Sequence, residues 1–373
     1  MLLKGIKVLD LSTLLPGPMC SLFLADLGAD VLKIESLNGD PMRYFEAKGN
    51  KNPYFLALNR NKKSMALNLK TDEGIKIFMK LAKAADVIIE GFRPGKVDAL
   101  GIGYNSIKKI NPKIIYCSIT GYGQNIDNKN KAGHDLNYAS LSGLIDIMSN
   151  NPFVPGVQIA DVASSLISAF AIISAMFYRE RYGKGTYIDV SMLDAALSFI
   201  GMHIAYHSVF GSQKTMLSGN KPCYNVYETK DKKFVSLAAV EGKFWQSFCS
   251  AIKREDLIKR QLDGSTQVIR DMQNLFKSKT SKEWVELNNK HDFCCEPIKK
   301  IQDVFKDRQF SDRGIILELD GVKQVAMPFI FSSSKKLKYS KSPKLGEYTD
   351  NILSNLGYDK KYISALRMKG VIN

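Results

Sequence analysis

Ile6-Lys7-Val8-Leu9-Asp10-Leu11, then Pro16-Gly17-Pro18 opening an apolar run from Met19 to Leu27, then Gly28, then Asp30-Val31-Leu32-Lys33-Ile34-Glu35: this opening stretch decides the fold. The outer segments are short apolar runs rich in Val, Ile and Leu and bounded by turn formers, the pattern of buried strands. The segment between them carries proline at its start, where a missing N–H costs a helix nothing, and glycine just past its end. Strand, helix, strand in so short a stretch is a βαβ unit and commits the chain to a parallel sheet. The pattern then repeats. Thr71, with Asp72 and Glu73 behind it, reads as the N-cap and acidic first turn of a helix running to about Ala85. A strand over 86–90 leads into the loop Gly91-Phe92-Arg93-Pro94-Gly95, and another over 113–118 leads into Gly121-Tyr122-Gly123. The expected class is α/β with an open, Rossmann-like parallel sheet, whose ligands sit beyond the carboxyl ends of the strands.

Working outward, the composition shifts to small residues around Asp161, and 163–178 reads as a long, weakly polar helix buried on most sides. A strand over 186–190 and a helix over 192–207 follow, and the polar stretch 211–221 reads as a linker. The expected division is a large α/β domain over 1–210, a smaller α+β domain over 211–330, and a segment over 331–373 that returns to the large domain. The small domain opens with strands 224–228 and 233–238 and includes a β pair at 315–319 and 322–327. With 373 residues, 45% hydrophobic and 24% charged, the proportions are globular and wholesale disorder is excluded. No run reads as the roughly 18 apolar residues of a membrane span. The chain enters its first strand within a few residues, leaving no room for a signal or transit peptide, so the expected location is the cytoplasm. The six cysteines are scattered apart from Cys294-Cys295 and form no CxxC, which excludes a disulfide scaffold and a zinc ribbon. A net charge of +16, from 53 basic against 37 acidic residues, asks for a polyanionic partner.

The dinucleotide fingerprint GxGxxG is missing from the first βα turn. Leu15-Pro16-Gly17-Pro18 stands in its place, and its prolines remove donors a pyrophosphate would need, so a redox dinucleotide is disfavoured despite Glu35 at the tip of the second strand. Arg43, the run Arg60-Asn61-Lys62-Lys63 and Arg93 each read alone as solvated groups; as a set they can converge at one rim and grip phosphates. Gly133-His134-Asp135-Leu136-Asn137-Tyr138 is open between two readings: Asp135 and Asn137 capping a helix beside a structural His134, or a chemical site. Asp161 precedes Val162-Ala163-Ser164-Ser165 and reads equally as a helix N-cap, and Glu241 as the acid that opens a helix. No cluster has the spacing of a metal site, and GxSxG is absent. A nucleic-acid binder would need a basic stripe interleaved with aromatics, whereas these lysines are spread along the whole chain.

Leu14-Leu15-Pro16-Gly17-Pro18, Ala25-Asp26-Leu27-Gly28-Ala29-Asp30-Val31, Lys33-Ile34-Glu35, Asn68-Leu69-Lys70, Gly91-Phe92-Arg93-Pro94-Gly95, Gly183-Lys184-Gly185 and Gly346-Glu347-Tyr348-Thr349-Asp350 together resemble the family III (CaiB/BaiF) CoA-transferases, in family order. Ala132-Gly133-His134-Asp135-Leu136-Asn137-Tyr138 with Leu141-Ser142-Gly143 is similar to the α-methylacyl-CoA racemase branch, and Ala160-Asp161 and Glu241 complete that pattern. The resemblance implies that Asp161 is the catalytic aspartate: a base in racemases, and in transferases the group that forms an acyl anhydride and then a thioester with CoA. It implies that His134 and Glu241 form a second base. Arg43, Lys62 or Lys63, and Arg93 fall where the family contacts CoA phosphates, and Tyr138 near the thioester. It also implies an interlocked homodimer, with coenzyme A entering as part of the substrate and no separate cofactor or metal.

The expected activity is racemisation of (R)- and (S)-2-methylacyl-CoA thioesters; the alternative is transfer of CoA between carboxylic acids through Asp161. Racemising an α-carbon needs a base on each face, and Asp161 against His134–Glu241 meets that demand better than a lone carboxylate. Where transferases of the family carry a glycine-rich loop, this chain has Leu237-Ala238-Ala239-Val240-Glu241-Gly242. If Asp161 opens a helix, the N–H groups there are candidates to hold the enolate oxygen.

Overall fold

The computed structural model describes residues 2–49, 52–149, 151–212, 214–332 and 337–373. The chain divides into two compact units, one of Met1–Ile145, Phe153–Phe199 and Arg313–Asn373, the other of Asp146–Pro152 and Ile200–Asp312. In the first, β1 (Lys7–Asp10), β2 (Asp30–Glu35), β3 (Lys62–Ala66), β4 (Val87–Glu90), β5 (Ile115–Thr120) and β6 (Thr186–Ser191) form one sheet. Every pairing is parallel and the order is β3-β2-β1-β4-β5-β6. Chain direction across the sheet reverses between β1 and β4, and a crevice opens at such a switch point, beyond the carboxyl ends of the strands.

Each strand buries alternate residues on both faces. Val8, Val31, Val87, Ile89, Ile115 and Cys117 pack under the helices Pro16–Asp26 and Ile159–Tyr182, whereas Leu9, Leu32, Ile34, Ile88 and Tyr116 pack on the other face with the helix Asp72–Lys83. That last helix starts as its sequence predicts, Thr71 Oγ1 accepting from the Gly74 N–H at 3.1 Å. The helix Ile159–Tyr182 is longer than its apolar pattern suggested, and Gly183, at φ 69°, ends it in the left-handed conformation that glycine adopts without strain. By length and hydropathy it passes as apolar enough to cross a membrane, although its uncharged run, 162–178, stays short of the roughly 18 residues a span needs. In the fold its small residues Ala163, Ser164, Ser165, Ser168, Ala169 and Ala175 are buried, and it packs on the helix Pro16–Asp26 and on the sheet.

The division differs from the expected one at both boundaries. The helix expected over 192–207 is two helices, Met192–Ser198 and Gly201–Phe210, because Ile200 leaves the helical region ahead of a glycine; the second helix belongs to the second unit. The second unit contains the antiparallel sheet β7 (Tyr224–Glu228), β8 (Phe234–Ala238) and β9 (Cys295–Pro297), over a core of Trp245, Phe248, Phe276 and Trp284. The hairpin β10 (Ile316–Leu319) and β11 (Val322–Val325) belongs instead to the first unit. There the Arg60 guanidinium donates to Gln324 Oε1 (3.1 Å) and the Val325 carbonyl (2.8 Å) while pairing with Asp26 at 2.6 Å. The last residues cover the sheet edge at β3, which would otherwise offer unpaired backbone groups. Tyr348 N–H donates to the Ser64 carbonyl (3.0 Å), Ala66 N–H to Thr349 Oγ1 (3.2 Å) and Asn68 N–H to the Val371 carbonyl (2.8 Å).

Candidate active site

A cleft of about 500 Å³ lies at the carboxyl ends of the central strands. Ser12, Thr13 and Leu14 after β1, Gly91–Pro94 after β4, Gly121 after β5 and Met192 after β6 ring it, together with His134, Tyr138 and Asp161.

A buried ionic network fixes the loop after β1. Asp10 accepts from Ser12 N–H (3.0 Å), Ser12 Oγ, Ser21 Oγ (2.5 Å) and Lys62 Nζ (3.3 Å). Lys33 Nζ donates to the Ser12 carbonyl at 2.8 Å and pairs with Asp40 at 2.9 Å, and Asp40 Oδ1 accepts from Leu14 N–H at 3.1 Å. Those contacts hold Leu14 at φ 65°, a conformation unusual for a branched side chain. Burial alone would push the Asp10 carboxyl up, but the charges of Lys33 and Lys62 and the two serine hydroxyls outweigh it and hold it at about 2. Burial pulls Lys62 down to about 8 against the attraction of Asp10. The loop after β4 is fixed by Glu90, which accepts from Phe92 N–H at 2.7 Å and from Ser118 Oγ; burial pushes its carboxyl up to about 7.

Of the cations expected to grip phosphates, Arg93 lines the cleft and the others do not. Arg43 is held bidentate by Glu35 at 2.7 and 2.7 Å, donates to the Pro343 carbonyl and lies 3.8 Å over the Phe55 ring. Lys62, fully buried, is taken up by Asp10, the Pro18 carbonyl (2.8 Å) and Asn59 Oδ1 (2.9 Å). Lys63 reaches Asp30 at the amino end of β2, at 2.7 Å. The run 60–63, whose residues read as solvated groups, is the entry into β3, where the Lys62 ammonium group is neutralised from within. Lys129 and Lys131 line the cleft and were missed; their one signal in the sequence is that they lead into Gly133-His134.

Asp161 sits at the third position of its helix, not at the cap. Gln158 occupies the cap without a side-chain bond, and the capping acceptor comes from elsewhere: Asp135 Oδ1 receives the N–H groups of Ala160 (2.7 Å) and Asp161 (3.1 Å). The donors expected to hold an enolate oxygen are therefore already engaged. Burial pushes the Asp161 carboxyl up to about 7, and the charge of Asp135 adds to the shift. His134 caps the helix Asp135–Leu141, its N–H donating to Asn137 Oδ1 at 3.0 Å, and is exposed at the cleft. The capping reading of this motif holds in part: Asn137 orders the turn, while Asp135 caps a different helix. Glu241, in the second unit, caps the helix Gly242–Ala251 with an exposed side chain that accepts no capping bond. Among the described residues no group of three or more His, Cys, Asp or Glu is placed to hold a metal.

Tyr138 is buried, donates to the Gly133 carbonyl at 2.8 Å and meets Tyr122 edge-on at 5.3 Å. Burial pushes its phenol up to about 12. A Cβ on Gly121 would stand 2.5 Å from Tyr138 Oη, so Gly121→Ala is expected to cost about 1–3 kcal/mol in a urea melt, with the midpoint lowered and the slope unchanged.

A model of CoA-transferase family III matches residues 3–349. The chain belongs to the family III CoA-transferases. It is 32% identical to human succinyl-CoA:glutarate CoA-transferase, the match covering 100% of this chain and 90% of that one. It is 31% identical to human α-methylacyl-CoA racemase, over 100% of this chain and 98% of that one. The crystal structure of a CaiB/BaiF family protein from Brucella suis aligns with a TM-score of 0.84 at 30% identity, over 95% and 99% of the two chains. Membership of the family thus brings transferases and racemases equally near.

Proposed function

We propose that the protein racemises 2-methylacyl-CoA thioesters by exchange of the α-proton, with Asp161 and His134 as the two bases. The observation that carries this reading is that an imidazole and a carboxyl group titrating at about 7 bound the same cleft. A group whose proton affinity lies near the working pH both takes and returns a proton efficiently. Asp161 in its charged form removes the proton from one face and His134, protonated, delivers one to the other; the reverse reaction exchanges the roles. Arg93, Lys129 and Lys131 are the cations of the cleft suited to the phosphates of coenzyme A. Glu241 enters the reading through the family resemblance alone, as a member of the second base.

The similarity to a glutarate CoA-transferase favours a second reading, in which Asp161 attacks the thioester as a nucleophile. Incubation with a chiral 2-methylacyl-CoA in D₂O, without an acceptor acid, separates the two. Racemisation predicts deuterium at C2 and loss of optical purity, with His134→Ala lowering the rate on the order of 10²-fold. Absence of exchange, together with CoA transfer to added glutarate and an acyl group trapped on Asp161, would establish the transferase.

A further inference from the structure

The turn that presents His134 and the turn that presents Asp161 are joined by a single side chain. Asp135 follows His134 directly, and its Oδ1 accepts from the N–H groups of Ala160 and Asp161 at 2.7 and 3.1 Å. We infer that Asp135 is a positioning residue: its carboxylate ties the turn carrying one base to the turn carrying the other, so that the two keep one spacing across the cleft. This rests on the racemase reading for its purpose, though not for its geometry. The helix Ile159–Tyr182 supplies no cap of its own, since Gln158 makes no side-chain bond, so nothing local replaces Asp135 at that end.

The same carboxylate is charged and next to Asp161. His134 and Tyr138 share its segment, and Arg93, Lys129 and Lys131 lie on the cleft loops. On the other elements packed against the helix, the ionisable groups are Cys20 and Asp26, Tyr116 and Cys117, Tyr187 and Asp189, and Asp194. Among all of these, Asp135 is the one whose charge raises the proton affinity of Asp161. Asp135 itself is pushed up by burial, and the N–H groups it accepts work against that push.

The test uses the full chain and Asp135→Asn, which retains an acceptor oxygen for the two N–H groups and removes the charge. Carbon-13 NMR of labelled aspartate carboxyls, with Asp161→Asn identifying the Asp161 signal, reads its titration directly. The expected result is a melting temperature close to that of the parent and an Asp161 midpoint lowered on the order of one pH unit, the rising limb of the pH–rate profile for exchange moving with it. Asp135→Ala, which also loses the tie, is expected to lower kcat at least tenfold with KM nearly unchanged. An unmoved Asp161 midpoint in Asp135→Asn, or an Asp135→Ala variant with parental kcat, overturns the inference. If the parent shows no exchange at all, the racemase reading falls, and the NMR midpoints still decide the link between Asp135 and Asp161.

Discussion

Asp161→Asn is expected to yield a folded protein that has lost α-proton exchange by on the order of 10⁴-fold and that melts higher than its parent at pH 8. Both effects come from one cause. Asp161 titrates at about 7 in the fold against 3.8 for a free side chain, because its carboxylate is poorly solvated. Between those values the folded protein keeps a proton that the unfolded chain releases, so the folded form loses relative stability as pH rises. The contribution is intact below the unfolded value and is lost by the time pH has passed 7. Asparagine never ionises. The two proteins should therefore melt together near pH 4 and separate progressively up to pH 8, by on the order of 4 kcal/mol. Thermal melts at pH 4, 6 and 8 check this; an Asp161→Asn variant less stable than the parent at pH 8 would contradict a desolvated carboxylate.

Lys62→Ala is expected to destabilise the protein by about 3–5 kcal/mol, because it strips a buried anion of one of its two counter-charges, the one that bonds it directly, and leaves Lys33 alone to balance it. Lys62 and Asp10 are both inaccessible to solvent, and water cannot take over the lost contact. Asp10 also orders Ser12 and the loop that floors the cleft. The urea midpoint should fall steeply at constant slope. Asp10→Asn combined with Lys62→Met, which removes both charges together, should recover much of the loss. The sequence suggested a different role for Lys62, as a ligand of coenzyme A phosphates. That role predicts nearly unchanged stability and a raised KM only.

The opening βαβ unit was legible because each of its signals is local: β2 runs over Asp30–Glu35 as its apolar pattern implies, and proline and glycine mark the helix between. β3 was not legible. A lysine at the start of a strand reads as surface until one knows that Asp10, far away in the chain, lies beneath it. The candidate site divides along the same line. Asp161 and His134 could be named from motif residues that stay near one another in sequence. The cap of the helix carrying Asp161 comes from Asp135, an acceptor 26 residues away, and no local rule assigns it. The placing of Arg43 was hidden for the converse reason, since its bidentate partner Glu35 and its platform Phe55 turn an exposed-looking arginine inward.

The return of the chain at Arg313 has a consequence for biosynthesis. The second unit interrupts the first, and apart from the short piece Asp146–Pro152 it is one uninterrupted stretch, Ile200–Asp312. A ribosome therefore releases everything the inserted unit needs while the first unit still lacks Arg60's partners on β11 and the Val371 carbonyl that receives Asn68. Domains tend to fold as they emerge, and exposed strand edges invite wrong partners in the interval. The sheet whose strands are made first is thus the last to close, and β3 stays an open edge until residues 348–371 have left the exit tunnel.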